Sequence, residues 1–463
     1  MPVEGRDLSS ELTLKVAKDR RLGNLSTPIS VQKLQTALHA KAKEEPGFRF
    51  YALYDKVYRT DVLTHAYLCC RANKGAPGVD GLTFDDVEAY GRERWLGELA
   101  QELREGTYRP EAVRRVYIPK PNGKLRPLGI PRLAERVCQT AAMLVLEPIF
   151  EADLPPEQHA YRQDRNAQSA VREVHGLLIS GYTDIVDADL SGYFDTIPHL
   201  ELMKSVARRV VDRRMLHLVK MWLNAPVEEC DERGRKKRTT TNRDSGKGIP
   251  QGSPISPLLS NLYMRRFILG WKKAGLERRL RARIVNYADD LVICCKGNAA
   301  TALNAMRQMM SKLKLTVNEE KTRTCRLPEG KFDFLGYTFG RCYSSKTGRP
   351  YIGTRPSKKS IKHMTEAVHV QTGRNMEWLD AEEMVIRLNQ KLGGWANYFC
   401  LGPVTSAYRF IDRYTTTRLR RWLCRKHKQR SGGIRRYPDE YMYSQLKLIR
   451  LPMLPQRFPW AKA

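Results

Sequence analysis

The residues Ile284-Val285-Asn286-Tyr287-Ala288-Asp289-Asp290-Leu291-Val292-Ile293 constrain this chain more than any other stretch, because two apolar, strand-like runs flank a polar tip holding adjacent acids. Such runs on either side of a short polar break predict a β-hairpin that presents Asp289 and Asp290 at its turn. Two carboxylates held that close repel unless a cation lies between them. A second acid-rich strand, Asp184-Ile-Val-Asp187-Ala-Asp189-Leu-Ser-Gly-Tyr-Phe194-Asp195, lies well upstream. Buried carboxylates need a compensating charge. On a strand Asp187 and Asp189 share a face, so the two-residue repeat does not choose between them.

A divalent metal is the natural counter-charge. Oxygen donors alone, with no His or Cys beside the first acidic segment, favour Mg²⁺ over zinc. Two Mg²⁺ ions about 4 Å apart activate a 3′-hydroxyl, bridge the phosphates of an incoming nucleotide and steady the leaving pyrophosphate. The overall charge agrees with a polyanionic partner: 81 Lys and Arg against 50 Asp and Glu give a net +31 and a pI near 9.8. An anionic membrane is the competing partner, but no apolar run approaches the ~20 residues needed to span a bilayer. The apolar stretch Ala141–Leu154 is interrupted by Glu147, Pro148, Glu151 and Asp153. Residues 1–10 carry acids and no apolar segment of the secretory kind, so no membrane role is expected and the location is read as the bacterial cytoplasm or nucleoid. The ten cysteines show neither zinc-site spacing nor the density of a disulfide scaffold and are expected to be reduced, mostly buried thiols.

A chain of 463 residues exceeds what one core usually serves, so two or three packed domains are expected. Residues 30–70 carry apolar positions at helical spacing among many basic residues, followed by the Gly/Pro-rich loop Asn73–Gly81. From about 110 to 345, short β-rich runs alternate with helical stretches, as in an α+β domain. Ser256 followed by Pro257 predicts an N-cap and a first helical turn. Beyond about 346 the pattern is helical: Asp380 with Glu383 suggests a capping box, Gly393-Gly394 a helix end, and Ala407–Arg430 a second helix stopped by Ser431-Gly432-Gly433.

With these motifs in view, the chain resembles the reverse transcriptases. Tyr287-Ala288-Asp289-Asp290 resembles their YADD box, and Asp189 followed by Phe194 resembles their first carboxylate motif. The resemblance implies that Asp189 and Asp289 are catalytic metal ligands with Asp290 a weaker partner, while Asp184, Asp187 and Asp195 remain structural candidates. It makes Phe194 an aromatic gate against a 2′-hydroxyl. Gly248-Ile-Pro-Gln251-Gly252-Ser253-Pro254-Ile-Ser256-Pro257 resembles the loop that approaches template and nucleotide through Gln251 and Gly252. Tyr117–Pro131 reads as a hairpin around an Asn-Gly turn and resembles the fingers hairpin, with Lys120, Lys124 and Arg126 as phosphate clamps; Arg136 and Gln139 match the same pattern. Lys321 sits where the family protonates the departing pyrophosphate, and Tyr287, Phe334, Leu335 and Gly336 are placed on primer and template.

Two further strings narrow the resemblance to proteins encoded by group II introns. Gly75–Gly81 is similar to the N-terminal motif of non-retroviral enzymes, and Gly394-Trp395-Ala396-Asn397-Tyr398-Phe399 to the thumb, or maturase domain X. In the closing helix Arg413, Arg418, Arg420, Arg421, Arg425, Lys426, Lys428 and Arg430 are expected to track RNA phosphates, since no acid follows Asp412 until Asp439. The expected architecture is α+β: a right-hand polymerase, its fingers and palm built on antiparallel sheet, with an N-terminal helical extension and an α-helical thumb. The implied divisions are 1–82, 83–345, 346–437 and a tail at 438–463. No Cys follows Cys424 and no His follows His427, so an endonuclease segment is not expected. The implied partners are group II intron RNA, an RNA template with a DNA primer, target DNA and deoxynucleoside triphosphates. The competing readings are a domesticated reverse transcriptase in repair or defence and an RNA-binding splicing factor with a vestigial polymerase.

Overall fold

The structure is a computed structural model and describes residues 25–119, 125–231, 233, 235–344 and 347–456. Its strands begin with β1 (Val113–Pro119), β2 (Leu125–Ile130), β3 (Asp184–Asp189), β4 (Val227–Cys230), β5 (Lys236–Thr239) and β6 (Ala282–Tyr287). They continue with β7 (Asp290–Cys295), β8 (Arg323–Arg326), β9 (Phe332–Phe334), β10 (Tyr337–Tyr343) and β11 (Pro350–Pro356). Three sheets result, ordered β2-β1-β4-β5, β6-β7-β3-β8 and β11-β10-β9. Every pairing in the second sheet is antiparallel.

That second sheet is the palm, and its two faces explain its composition. Ile185, Val285, Val292 and Cys294 pack beneath the Ala167–Ile179 helix, while Val186, Ala188, Ile284, Leu291 and Ile293 join the main core with Ala302 and Met306 of the Ala299–Lys312 helix. Successive strand residues point to opposite faces, so a sheet covered on both sides needs apolar residues at consecutive positions. The β7 run Leu291–Cys295 is buried throughout.

The N-terminal helices Ile29–Glu44 and Thr60–Ala72 share this main core and pack on the Leu133–Glu151 helix. Pro148 lies inside that helix and lacks the N–H that would bond the carbonyl four residues back. Gln35 Nε2 donates to that orphan, Leu144 O, at 3.1 Å, and His39 Nδ1 lies 3.0 Å from Pro148 O. The fully buried Arg209 side chain closes the C-terminal end of the Ile29–Glu44 helix by donating to the carbonyls of Ala42, Glu45, Pro46 and Phe48. The expected division at 82/83 therefore coincides with no break in packing, because residues on both sides bury one surface.

The thumb has its own core, built by the helices Lys358–Gln371, Ala381–Tyr398 and Thr405–Lys426. Tyr437, Met442, Leu448 and Leu451 complete it, so packing also runs through the expected division at 437/438. Gly393 and Gly394 lie within the Ala381–Tyr398 helix rather than ending it; tertiary packing of Leu392 and Ala396 overrides the low intrinsic propensity of glycine. Asp380 occupies the N-cap position but accepts no side-chain cap bond, and Glu383 pairs with Arg387 at 2.7 Å instead. Ser256 is the first helical residue, not the cap, and its hydroxyl donates to Pro250 O at 2.8 Å. All ten cysteines are free, and only Cys230 among them is exposed. No helix among the described residues is long and apolar enough to cross a membrane.

Candidate active site

The register of β3 against β7 sets Asp189 directly opposite Asp290 and Asp187 opposite Val292, while β6 sets Tyr287 opposite Asp290. Directly opposed residues share a face with Cβ atoms roughly 5 Å apart. Asp187, Asp189, Tyr287 and Asp290 thus line one face, and Asp289 stands in the turn between β6 and β7. Ala288, the other turn residue, has φ +57, the left-handed region that a hairpin of this length demands. Buried Asn286 holds the turn by donating Nδ2 to Ala288 O at 2.8 Å and Asp290 O at 3.3 Å. The turn is therefore fixed by the strand beneath it.

The acids differ in their neighbours. Asp187 meets Arg323 of β8 at 3.2 Å, though burial still pushes its carboxyl above the usual range. Asp184 lies at the far end of β3, where it accepts from Gly297 N at 2.9 Å. Asp189 Oδ2 accepts from Lys321 Nζ at 2.8 Å and Asn318 Nδ2 at 3.0 Å; the bond to Asp189 raises the lysine in turn. Asp290 is pushed up to about 7, first by burial, then by Asp289, Asp189 and Asp187, with Lys321 only partly offsetting them. Among the described residues no three acidic, His or Cys side chains converge tightly enough to ligate an ion in this arrangement. The donor set nonetheless fits a hard divalent cation: three carboxylates stand at one sheet end, and one of them, Asp290, is disfavoured in its charged form by burial and then by the acids beside it.

The loop from Gly248 closes over this end. Gln251 bridges two elements, accepting from Arg126 Nε at 3.1 Å and donating Nε2 to Asp195 Oδ2 at 3.3 Å, while its backbone carbonyl accepts from Gly129 N at 2.6 Å. Gly252 has φ +110, and a Cβ there would lie 2.5 Å from Gly129 O; only glycine lets the loop sit against β2. Lys120 and Lys124 lie outside the described residues. Phe194 is buried edge-on to Tyr193, with centroids 5.7 Å apart, and its carbonyl accepts from Ile249 N at 2.8 Å. The Gly75 loop and the helix behind the fingers touch: a Cβ on Gly75 would lie 2.3 Å from Arg136 Nη1. Arg136 and Gln139 are both buried there.

Phe334 is a core residue beneath the palm–thumb junction. Leu335 and Gly336, both at positive φ, form the turn between β9 and β10, and the thumb holds that turn. Gly336 O accepts from Ser357 N and Ser360 Oγ at 2.9 Å each, and Leu335 O from Tyr398 Oη at 2.9 Å. The aromatic string Trp395–Phe399 thus joins thumb to palm.

The basic helix is partly paired within the chain. Arg418 donates to Thr372 Oγ1 at 3.0 Å and to the carbonyls of His369 and Thr372, and Arg425 reaches Thr372 O at 2.9 Å and Glu377 at 2.8 Å. These carbonyls end the Lys358–Gln371 helix, where intrahelical donors run out. Arg420 binds Tyr437 O and Asp439, and Lys426 binds Glu377 O. Intramolecular partners therefore do occupy four of the eight basic residues; they come from other elements rather than from the helix itself. The helix ends at Lys426 rather than at Arg430; Arg413 and Arg421 on it, and Lys428 and Arg430 beyond it, are exposed and have no acidic partner among the described residues.

Two polar residues at the carboxylate site escaped the sequence reading. Asn318 lies in a string whose lysine alone drew notice. Tyr161, 45% exposed at φ +55, stands near Asp289, which helps raise its hydroxyl after burial. It gets there because residues 157–159 bond Asn286 of β6 through a single parallel bridge and Arg162 is pinned to Glu151. A positive φ at tyrosine leaves no mark in the sequence.

A palm sheet with paired acids at one end, a glycine loop closing on a fingers hairpin and a helical thumb together define a right-hand nucleic-acid polymerase. A reverse transcriptase (RNA-dependent DNA polymerase) family model matches residues 118–339, and a group II intron maturase-specific domain model matches residues 361–438. The chain is 33% identical over 368 residues to protein YkfC of Escherichia coli (strain K12), covering 71% of this chain and 93% of that protein. It is 28% identical over 350 residues to the group II intron-encoded protein LtrA of Lactococcus lactis subsp. cremoris, covering 62% of this chain and 56% of LtrA. A putative COX1/OXI3 intron 1 protein of Saccharomyces cerevisiae is 27% identical over 329 residues, covering 60% of this chain and 38% of that protein. The chain thus spans about half the length of LtrA. It belongs to the family of group II intron reverse transcriptases and maturases, and is an RNA-directed DNA polymerase joined to a splicing maturase domain. Enzymes of this family use divalent metal ions.

Proposed function

We propose that the protein binds a parent group II intron RNA, assists its splicing and copies it into DNA at a target DNA during retrohoming, in the bacterial cytoplasm or nucleoid. The observation that carries the polymerase half is the meeting of Asp189, Asp289 and Asp290 at one end of the palm sheet. Asp189 and Asp289 hold two Mg²⁺ ions, with Asp290 the weaker partner, and the bound metal supplies charge for the 3′-hydroxyl and the triphosphate. Lys321 holds a proton beside that site for the leaving pyrophosphate. Arg126, with Lys120 and Lys124 from the same hairpin, orients the deoxynucleoside triphosphate; a guanidinium offers a two-pronged contact for phosphate. Gln251 and Gly252 let backbone and amide approach the template, while Phe194 excludes a 2′-hydroxyl. Tyr287 and the turn at Phe334, Leu335 and Gly336 steady the DNA primer on its RNA template, and the exposed thumb bases grip the intron.

Primer extension with Mg²⁺ on an RNA template, run beside splicing of the intron RNA that flanks the reading frame, tests this reading. The wild-type protein should perform both, and Phe194→Ala should raise ribonucleotide incorporation relative to deoxynucleotide. A wild-type protein inert on every RNA template would overturn the polymerase assignment, and unchanged sugar discrimination would return Phe194 to the core.

A further inference from the structure

Asp189, the last residue of β3, is held by the turn that carries Lys321. β8 runs antiparallel to β3 with Arg323 opposite Asp187, and just upstream Val317 bridges Leu190 in the same antiparallel sense. Unbroken pairing from Arg323 would set Glu320 opposite Leu190, so three extra residues are accommodated beside Asp189. Extra residues opposite a regular strand interrupt the ladder and bend the strand that carries them. Here they fold back on Asn318, whose carbonyl accepts from Lys321 N at 3.2 Å and Thr322 N at 2.9 Å.

The turn grips both the backbone and the side chain of Asp189. Asn318 N donates to Asp189 O at 2.8 Å, and Asp189 N donates to Thr322 Oγ1 at 3.4 Å. Asn318 Nδ2 and Lys321 Nζ then converge on a single carboxylate oxygen, Oδ2, at 3.0 and 2.8 Å. Oδ1 accepts no hydrogen bond among the described residues. The two donors are not equivalent. Lys321 is exposed on a long, flexible stem, and its ammonium cancels the charge that a cation needs. Asn318 is half-buried on a short side chain, is tied through its own backbone to the same aspartate, and orients the carboxylate without neutralising it.

We propose that Asn318 is a positioning residue for DNA synthesis: by holding Oδ2 of Asp189 it keeps Oδ1 free for a divalent cation when Lys321 leaves for the pyrophosphate. This role rests on the reading of Asp189 as a metal ligand and of Lys321 as the proton carrier. Hydrogen bonds that orient a ligating carboxylate contribute roughly 10- to 100-fold in metal affinity or activity. Lys321 cannot supply that orientation alone, since it must let go of Asp189 to reach a leaving group.

Asn318→Ala removes the amide and keeps every main-chain bond of the turn. Its kcat for extending a pre-annealed primer on RNA should fall by about tenfold or more, with KM for primer and template within about twofold of wild type. The Mg²⁺ concentration that half-saturates the rise in melting temperature of the protein alone should climb by a similar factor. Asn318→Leu fills the same space without a donor and should behave alike. In a Lys321→Met background, where Asn318 is the one donor left on Oδ2 among the described residues, Asn318→Ala should cost more than it does in wild type. A merely structural asparagine would lower the melting temperature in EDTA and leave kcat and the Mg²⁺ requirement alone; that result, with Asp189→Asn inactive, would overturn the role. Full activity in Asn318→Leu, or equal costs of Asn318→Ala in the two backgrounds, would do the same. Asp189→Asn extending primers at the wild-type rate would instead remove Asp189 from the site, and with it the reading beneath the role.

Discussion

Asp290 in the palm and Arg425 in the thumb are both partly covered charged side chains, yet their surroundings are opposite. Burial raises the Asp290 carboxyl first, and the acids Asp289, Asp189 and Asp187 raise it further, with Lys321 offsetting them only in part. Around Arg425 the chain supplies a carboxylate and a helix-end carbonyl. At Asp290 the palm leaves a charge uncompensated, as a site that must accept a cation requires; at Arg425 the thumb neutralises its own charge, as a scaffold requires. Number of charges therefore predicts function poorly, and whether the fold has already answered them predicts it better.

The largest effect expected from this contrast is in the palm. Asp289→Asn should reduce primer extension by roughly 10³-fold or more, the several kcal/mol that a metal site contributes. RNA affinity should stay within about twofold, because no phosphate-binding cation is touched. Extension at the wild-type rate would remove Asp289 from the site.

The thumb comparison comes next. Changing the exposed set Arg413, Arg421, Lys428 and Arg430 to Gln should weaken intron-RNA binding by about tenfold or more and flatten the salt dependence, by roughly 3 on a log-log plot if all four meet phosphates. A filter-binding titration across salt concentrations measures both. Equal slopes in variant and wild type would make the helix a solvated face. By contrast, Arg425→Gln should lower stability by about 1–2 kcal/mol, losing its bonds to Glu377 and Thr372 O, and leave that slope alone. If Arg425→Gln flattens the slope without moving the unfolding midpoint, Arg425 is an RNA contact after all.

The palm was legible because its chemistry forces a local signature: acids inside apolar strands, and a Phe334–Tyr337 turn whose residues match its backbone. The strand register then separated Asp189 from Asp187, which periodicity alone left together. The thumb's own pairings left no such mark because the partners are remote. Glu377 and Asp439 lie far along the chain from the bases they hold, and a helix-end carbonyl has no letter of its own. The same applies to Gln35 repairing the gap at Pro148, to Arg209 closing a helix and to Tyr161 reaching Asp289. Gly393-Gly394 misled for the opposite reason, since a strong local stop was overruled by packing.

The smallest effect sharpens the palm side of the contrast and concerns stability rather than rate. The Asp290 carboxyl is pushed up to about 7 from its ordinary 3.8, so between those values the folded state holds the extra proton. That contribution is fully present below about pH 4 and is lost as pH rises through 7. Above pH 7 the metal-free protein carries an ionised, half-buried Asp290 facing Asp289 and Asp189. Asp290→Asn removes that repulsion while keeping size and shape. In EDTA at pH 8 the variant should therefore be more stable than wild type, by on the order of 1–3 kcal/mol, with the gap closing toward pH 5. Mg²⁺ should raise the wild-type melting temperature at pH 8 more than at pH 5, where it competes with the proton, and raise the variant's less at either pH. Melting curves from pH 5 to 8.5 with and without Mg²⁺ measure all of this. A variant less stable than wild type at pH 8 in EDTA would mean that Asp290 is as well compensated as Arg425, and the contrast between palm and thumb would fail at its centre.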